Sequence, residues 1–161
     1  MAQSETERAI GYLVKRVQQS LRRRCDTALR PTGVSMAQYA ALRALADNPE
    51  ASASDLARMC FVTRQSLQDL LAGMRAAGLV EDADAPRRGR AQSLQLTRLG
   101  RTTLAAAHSA VIAIETAMVK GIPIRARGEL AEALALCAEN LEAARIEWSN
   151  TQSRDRQPTH P

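Results

Sequence analysis

One stretch of the chain, residues 79–96, breaks the hydrophobic period that rules the rest, and no other feature constrains the fold as much. Outside it apolar residues recur at steps of three and four, lining one face of a helix; inside it they alternate. Ile10, Leu13, Val14, Val17, Leu21, Ala28 and Leu29 form a one-sided stripe, with Arg8, Lys15, Arg16, Arg22 and Arg23 mostly off it, so a long first helix is expected. Arg30-Pro31-Thr32-Gly33 ends it, since proline restricts its predecessor and glycine supplies a turn. Ser35 stands three residues before Gln38, the spacing of a capping box, and opens a second helix with Tyr39, Leu42 and Leu45 on one face, stopping near Asp47-Asn48-Pro49. Ser52 and Asp55 repeat the signature before a short third helix with Leu56, Met59 and Cys60. Thr63 caps a fourth helix that carries Leu67, Leu70, Leu71 and Met74 and ends at Gly78.

Two short helices joined by a tight turn make a helix-turn-helix candidate. After it, Leu79-Val80 leads through Glu81, Asp82 and Asp84 to Pro86-Arg87-Arg88-Gly89-Arg90, and then to the alternating Ser93-Leu94-Gln95-Leu96. Alternation argues a strand and the Pro/Gly/Arg stretch an exposed hairpin tip, together a two-stranded wing. Thr97 caps a fifth helix with Leu104, Ala107, Val111, Ile114 and Met118, broken at Gly121 and Pro123. A sixth carries Leu130, Leu134, Cys137, Leu141 and Trp148. Aromatic residues make up only 2% of the chain while Ala and Leu recur throughout, which suits helices and argues against a β-sandwich. The expected fold is mostly α with a small β-wing: a winged helix-turn-helix lobe, approximately 33–100, plus a helical dimerisation layer, approximately 5–30 and 98–148. It forms a single domain over 1–150, and the polar, proline-containing stretch 151–161 is expected to be a disordered tail.

Several function classes drop out on composition and pattern. Cys25, Cys60 and Cys137 are odd in number, far apart and in no CxxC spacing, so neither a disulfide framework nor a zinc site is indicated and a reducing cytoplasmic setting fits. Acidic residues near the start and the lack of a long uncharged apolar run disfavour secretion and a membrane span. The histidines are His108 and His160, and no GxGxxG, Walker, HExxH or nucleophile-elbow pattern occurs. The chain is therefore read as no enzyme, with neither cofactor nor metal.

What remains is an anionic partner. The net charge is only +5, with 22 Lys+Arg against 17 Asp+Glu, but almost all the cations are Arg, whose planar fork suits phosphates and base edges. A helix-turn-helix reads DNA by laying its second helix in the major groove. Here the exposed residues at that helix's start are Thr63, Arg64, Gln65, Ser66 and Gln68. Arg pairs with guanine O6/N7, Gln with adenine N6/N7, and Ser and Thr with phosphates or either base type. Arg87, Arg88 and Arg90 crowd the hairpin tip, which costs self-repulsion in the free protein but is favourable beside phosphates or in a narrow minor groove.

The stretch Gly33 to Arg101 resembles the MarR family of winged helix-turn-helix regulators. The matching residues are Gly33-Val34-Ser35-Met36-Ala37-Gln38-Tyr39-Ala40-Ala41-Leu42, Ser54-Asp55-Leu56-Ala57, Ala77-Gly78-Leu79-Val80, Arg87 and Arg90, and Leu96-Thr97 with Gly100-Arg101. The resemblance implies a homodimeric regulator of transcription, a repressor by family habit. Its first, fifth and sixth helices would pair and its two lobes would read a pseudo-palindromic double-stranded operator. The apolar seams of the fifth and sixth helices, longer than one lobe needs, point the same way. Ala85 stands where the family's wing motif ordinarily has Asp two residues before the first Arg, with Asp84 displaced by one. Asp69, where relatives place a polar contact, is read as facing away, the alternative being an acceptor for cytosine N4.

The family commonly releases DNA when a small, often aromatic and anionic ligand fills a crevice between dimer layer and lobe. The matching region here includes Arg22, Met36 and Tyr39. Some relatives sense oxidants through a cysteine, and Cys25, beside Arg22, Arg23 and Arg24, is the alternative sensor, because positive charge favours the thiolate. Cys60 and Cys137 are read as structural. A reading from another class is a helical protein-interaction scaffold with a vestigial winged lobe.

Overall fold

The computed structural model describes residues 9–83 and 94–154, with side chains described as far as residue 143. It divides into two compact units, one ending at Met118 and one beginning at Val119. The first holds α1 (Ile10–Leu29), a short 3-10 turn (Arg30–Thr32), α2 (Met36–Asp47), α3 (Ala53–Met59), α4 (Arg64–Ala76), β1 (Val80–Asp82), β2 (Leu94–Leu96) and α5 (Arg98–Met118). The second is built around α6 (Ile124–Arg154).

The helix boundaries follow from side chains that satisfy the backbone groups a helix leaves free at its ends. Ser35 accepts from the Gln38 N–H at 3.2 Å while the Gln38 side chain accepts from the Ser35 N–H at 2.8 Å. Ser52 and Asp55 form the same reciprocal box at the start of α3. Thr63 accepts from the Ser66 N–H at the start of α4, and Thr97 from the Gly100 N–H at the start of α5. Pro31 sits in the first positions of the 3-10 turn, and Gly33 closes it at a φ of 74°.

α1 packs along α5, α2 lies against both, and α3 and α4 also pack on α2. Between them lies one apolar core that includes Leu29, Leu42, Leu67, Met74, Ala107 and Val111, all essentially inaccessible. β1 and β2 pair antiparallel, Val80 opposite Leu96, Glu81 opposite Gln95 and Asp82 opposite Leu94. Val80 and Leu96 turn into the core, so this pair anchors the base of the wing.

The joint between helix-turn-helix, wing and α5 is unusually tight. At the end of α4 the Leu79 N–H donates to the Met74 carbonyl and the Gly78 N–H to the Arg75 carbonyl, with Gly78 at a φ of 68°; this is a Schellman closure. The Leu79 carbonyl then accepts from the Thr97 N–H at 3.1 Å, and the Thr97 hydroxyl donates to the Gly78 carbonyl at 2.6 Å. Gly100 lies directly over the Leu79 carbonyl, where an added Cβ would overlap its oxygen.

In the second unit the described residues of α6 show no buried side chain: Leu130, Leu134, Leu136 and Leu141 all stand exposed. The helix continues through Arg154, four residues into the stretch expected as a tail, because neither Gly nor Pro occurs between Gly128 and Pro158. The remainder of that stretch lies outside the described residues.

The glycines of this lobe yield a paired expectation. Gly100→Ala must displace backbone and should cost about 1–3 kcal/mol or more, read as a lowered Tm. Gly73→Ala, in mid-helix with open space around it, should instead stabilise by about 0.5–1 kcal/mol.

Candidate nucleic-acid interface

α3 and α4 meet through the turn Cys60-Phe61-Val62, and the side chains expected to read bases stand together at its far end. Thr63, Arg64, Gln65, Ser66 and Gln68 are all exposed, while Leu67, Leu71 and Met74 bury the opposite face of α4. The buried residues fall at steps of four and three, so the outward face is centred on Gln65 and Asp69, with Arg64 and Gln68 flanking it on one side and Ser66 on the other.

Several of these groups are already held. The Arg64 guanidinium donates to the Ser54 hydroxyl at 2.6 Å, across the turn on α3. One such bond leaves the fork four further donors, so Ser54 steadies Arg64 without consuming it. Gln65 donates through Nε2 to Asp69 Oδ1 at 3.1 Å. Asp69 therefore shares the outward face with Gln65 and does not turn away from it, contrary to the sequence expectation, because four residues make one helical turn. Its carboxylate orients the Gln65 amide. The Thr63 and Ser66 hydroxyls lie 2.8 Å apart.

The base of the wing is tied to the same helix: Arg75 near the end of α4 pairs with Asp82 of β1 at 3.0 Å. Gln95 bonds across the strands to Glu81 at 3.2 Å. Both pairs are exposed and contribute little stability, and they tie β1 to α4 and to β2. Arg87, Arg88 and Arg90, with Asp84 and Ala85, lie outside the described residues.

The residues expected to line an effector site separate. Arg22 is exposed and pairs loosely with Asp26 at 3.9 Å. Met36 packs against the core and Tyr39 is buried in it, its hydroxyl 2.9 Å from His108 Nδ1. Burial pushes the Tyr39 phenol up, and the charge of Glu115 adds to that. His108 in turn lines a cleft of about 480 Å³ bounded by the end of α2, strand β2 and the start of α5. Its walls are Leu45, Leu94, Leu96 and Leu104, with the cations Arg43 and Arg101 beside them. Arg43 is paired with Asp47 at 2.7 Å, and Arg101 donates to the Leu96 carbonyl at 2.7 Å. Neither Arg43 nor His108 was evident as a site residue from the sequence, since only the fold brings α2 and α5 to one wall.

Cys25 departs from its expected environment. It is 1% exposed, and burial, then the negative charges of Glu115 and Asp26, push its thiol up. The neighbouring arginines project to the surface and do not favour a thiolate, so the sensor chemistry expected of an exposed cationic site is lacking. Burial also raises the half-buried Cys60. Cys137 is exposed on α6, so in its own unit it fills no core as a structural residue would.

Among the described residues no group of His, Cys, Asp and Glu is arranged to hold a metal ion, and no helix is long and apolar enough to cross a membrane.

The folded Cys25 thiol holds its proton more tightly than the unfolded one. Its contribution to stability is therefore present below the ordinary thiol range and lost as pH rises above it. At pH 8 an alkylating reagent should label Cys25 only as fast as the protein opens, with strong acceleration in denaturant. Rapid labelling of the native protein would restore the oxidant-sensor reading.

The family model described as MarR family matches residues 32–91. The HTH-type transcriptional repressor Rv2887 of Mycobacterium tuberculosis is 33% identical over 106 residues, covering 66% of this chain and 76% of the relative. The crystal structure of that MarR family protein in complex with salicylic acid superposes with a TM-score of 0.65 at 29% identity, covering 80% of this chain and 96% of that one. The transcriptional repressor CouR, bound to a 23-mer DNA duplex, superposes with a TM-score of 0.74 at 26% identity, covering 86% of this chain and 98% of that one.

Proposed function

The chain belongs to the MarR family, and from that premise we propose that it is a dimeric, sequence-specific repressor of transcription whose hold on double-stranded DNA is released by a small anionic aromatic ligand. The observation that carries the reading is the outward face of α4, where Arg64 and Gln65 stand exposed and pre-aimed by Ser54 and Asp69. Held donors lose less side-chain freedom on binding than free ones. In this reading Arg64, Gln65 and Gln68 meet base edges, Thr63 and Ser66 meet phosphates or bases, and Arg87, Arg88 and Arg90 grip the backbone or the minor groove. That relatives are repressors, and that CouR is bound to a DNA duplex, supports it.

One protomer presents one recognition helix, so a pseudo-palindrome requires two, about 34 Å apart on successive major-groove faces. The exposed Ile10, Leu13, Val14 and Val17 of α1, and separately the exposed leucines of α6, supply apolar surface for pairing. For the effector, the cleft beside β2 offers apolar walls with Arg43 and His108 at hand, a chemistry that suits an aromatic carboxylate such as the salicylic acid bound by Rv2887. Tyr39 then acts at one remove, by holding His108, and Met36 backs it from the core. Arg22 does not line this cleft.

Footprinting of the gene's own upstream region, repeated with salicylate and with peroxide, tests the whole. Protection that salicylate lifts and peroxide leaves intact is expected; no protected inverted repeat there or elsewhere in the genome would favour a protein-interaction scaffold. Arg87→Ala and Arg90→Ala should each weaken binding to every duplex and lower the salt slope by about 1, whereas Gln65→Ala should change sequence preference. Arg43→Ala should leave operator affinity intact and raise the salicylate concentration needed for release roughly tenfold.

A further inference from the structure

Phe61 is the most exposed large hydrophobic residue among those described, at 91%. It is also the one described non-glycine residue in the left-handed region, at a φ of 54°. Both properties are unfavourable: a bulky side chain resists that backbone conformation, and an aromatic ring in water forgoes burial.

The turn does not explain them. The Phe61 N–H donates to the Arg58 carbonyl at 3.1 Å and the Val62 N–H to the Ala57 carbonyl at 3.0 Å, a Schellman closure of α3. The chain builds the same closure at the end of α4, and there the left-handed position is Gly78. Glycine serves this backbone without strain, so what Phe61 adds is its ring. The ring belongs to a residue two positions before Thr63, within about 7 Å of chain from the first turn of α4. That turn carries Arg64 and Gln65, which donate hydrogen bonds and cannot read a methyl group. A flat apolar surface beside them suits the feature of the major-groove edge that hydrogen bonding leaves unread, the C5-methyl of thymine.

We propose that Phe61 is a specificity-determining residue that packs on a thymine methyl in each half-site, next to the bases met by Arg64 and Gln65. This rests on the DNA-binding reading above, and the test separates the two. Full-length protein first selects its operator from random duplexes; failure to enrich any sequence defeats DNA binding itself. Affinities of wild type, Phe61→Leu and Phe61→Gly are then measured on the selected operator and on versions with symmetric thymine pairs replaced by deoxyuridine, which lacks only the methyl. One such pair should weaken wild type roughly tenfold and leave Phe61→Gly nearly unaffected, with Phe61→Leu between them. Phe61→Gly should also melt at a higher temperature while binding the thymine operator roughly tenfold more weakly, so that loss of affinity cannot be ascribed to loss of fold. Equal response of wild type and Phe61→Gly to every replacement, or unchanged affinity of Phe61→Gly, would overturn the proposal.

Discussion

The Leu79 carbonyl is the point from which the lobe is built. It accepts from the Thr97 N–H and lies under Gly100, while its own residue closes α4 and starts β1. Three elements thereby meet at one residue: the helix proposed to read DNA, the first strand of the wing, and the long helix α5. Only a residue without a side chain allows α5 to come so close, and only a positive φ at Gly78 lets α4 end in the direction that brings it there. The orientation of α4 relative to α5 follows from two glycines and one threonine, with the buried Leu67, Leu71 and Met74 filling the space the joint encloses.

The charges of the lobe divide into two kinds. Arg43 with Asp47 and Arg58 with Asp55 are local pairs, each within a single helix, exposed and of small energetic weight. Arg64 with Ser54, Gln65 with Asp69 and Arg75 with Asp82 work differently, because each limits where a functional side chain or strand can go. The cleft beside β2 adds a mechanical point. Leu94 and Leu96 line it, and Leu96 pairs with Val80, so a ligand seated there bears on the strand that carries the wing.

The helix starts were legible because capping is local: Ser35 with Gln38, Ser52 with Asp55, Thr63 with Ser66 and Thr97 with Gly100 are all three residues apart. The wing base was legible because its period differs from everything around it. What the sequence concealed is set by the folded chain. Arg64 meets Ser54 only once the turn closes, Tyr39 meets His108 only once α2 packs on α5, and the need for glycine at 100 appears only when Leu79 is beneath it. The burial of Cys25 was hidden for a related reason: three arginines flank it in sequence, but on a helix consecutive residues point in different directions, and this one points inward. That Thr63, Arg64, Gln65, Ser66 and Gln68 are exposed was legible from the period of Leu67, Leu71 and Met74, and the same period puts Asp69 one turn from Gln65 on the outward face.

α6 is 31 residues long, about 46 Å of helix, and its described side chains rest on no core. A helix in water that buries nothing is held mainly by its own backbone, which is marginal support for one whose leucines stand in solvent. In the proposed dimer those leucines find their partner in a second copy, and folding and association become one equilibrium. The amount of protein then sets how much of it is whole: at low concentration the loss of the partner is also the loss of the helix, so the proposed occupancy of DNA would fall more steeply with dilution than protomer affinity alone predicts.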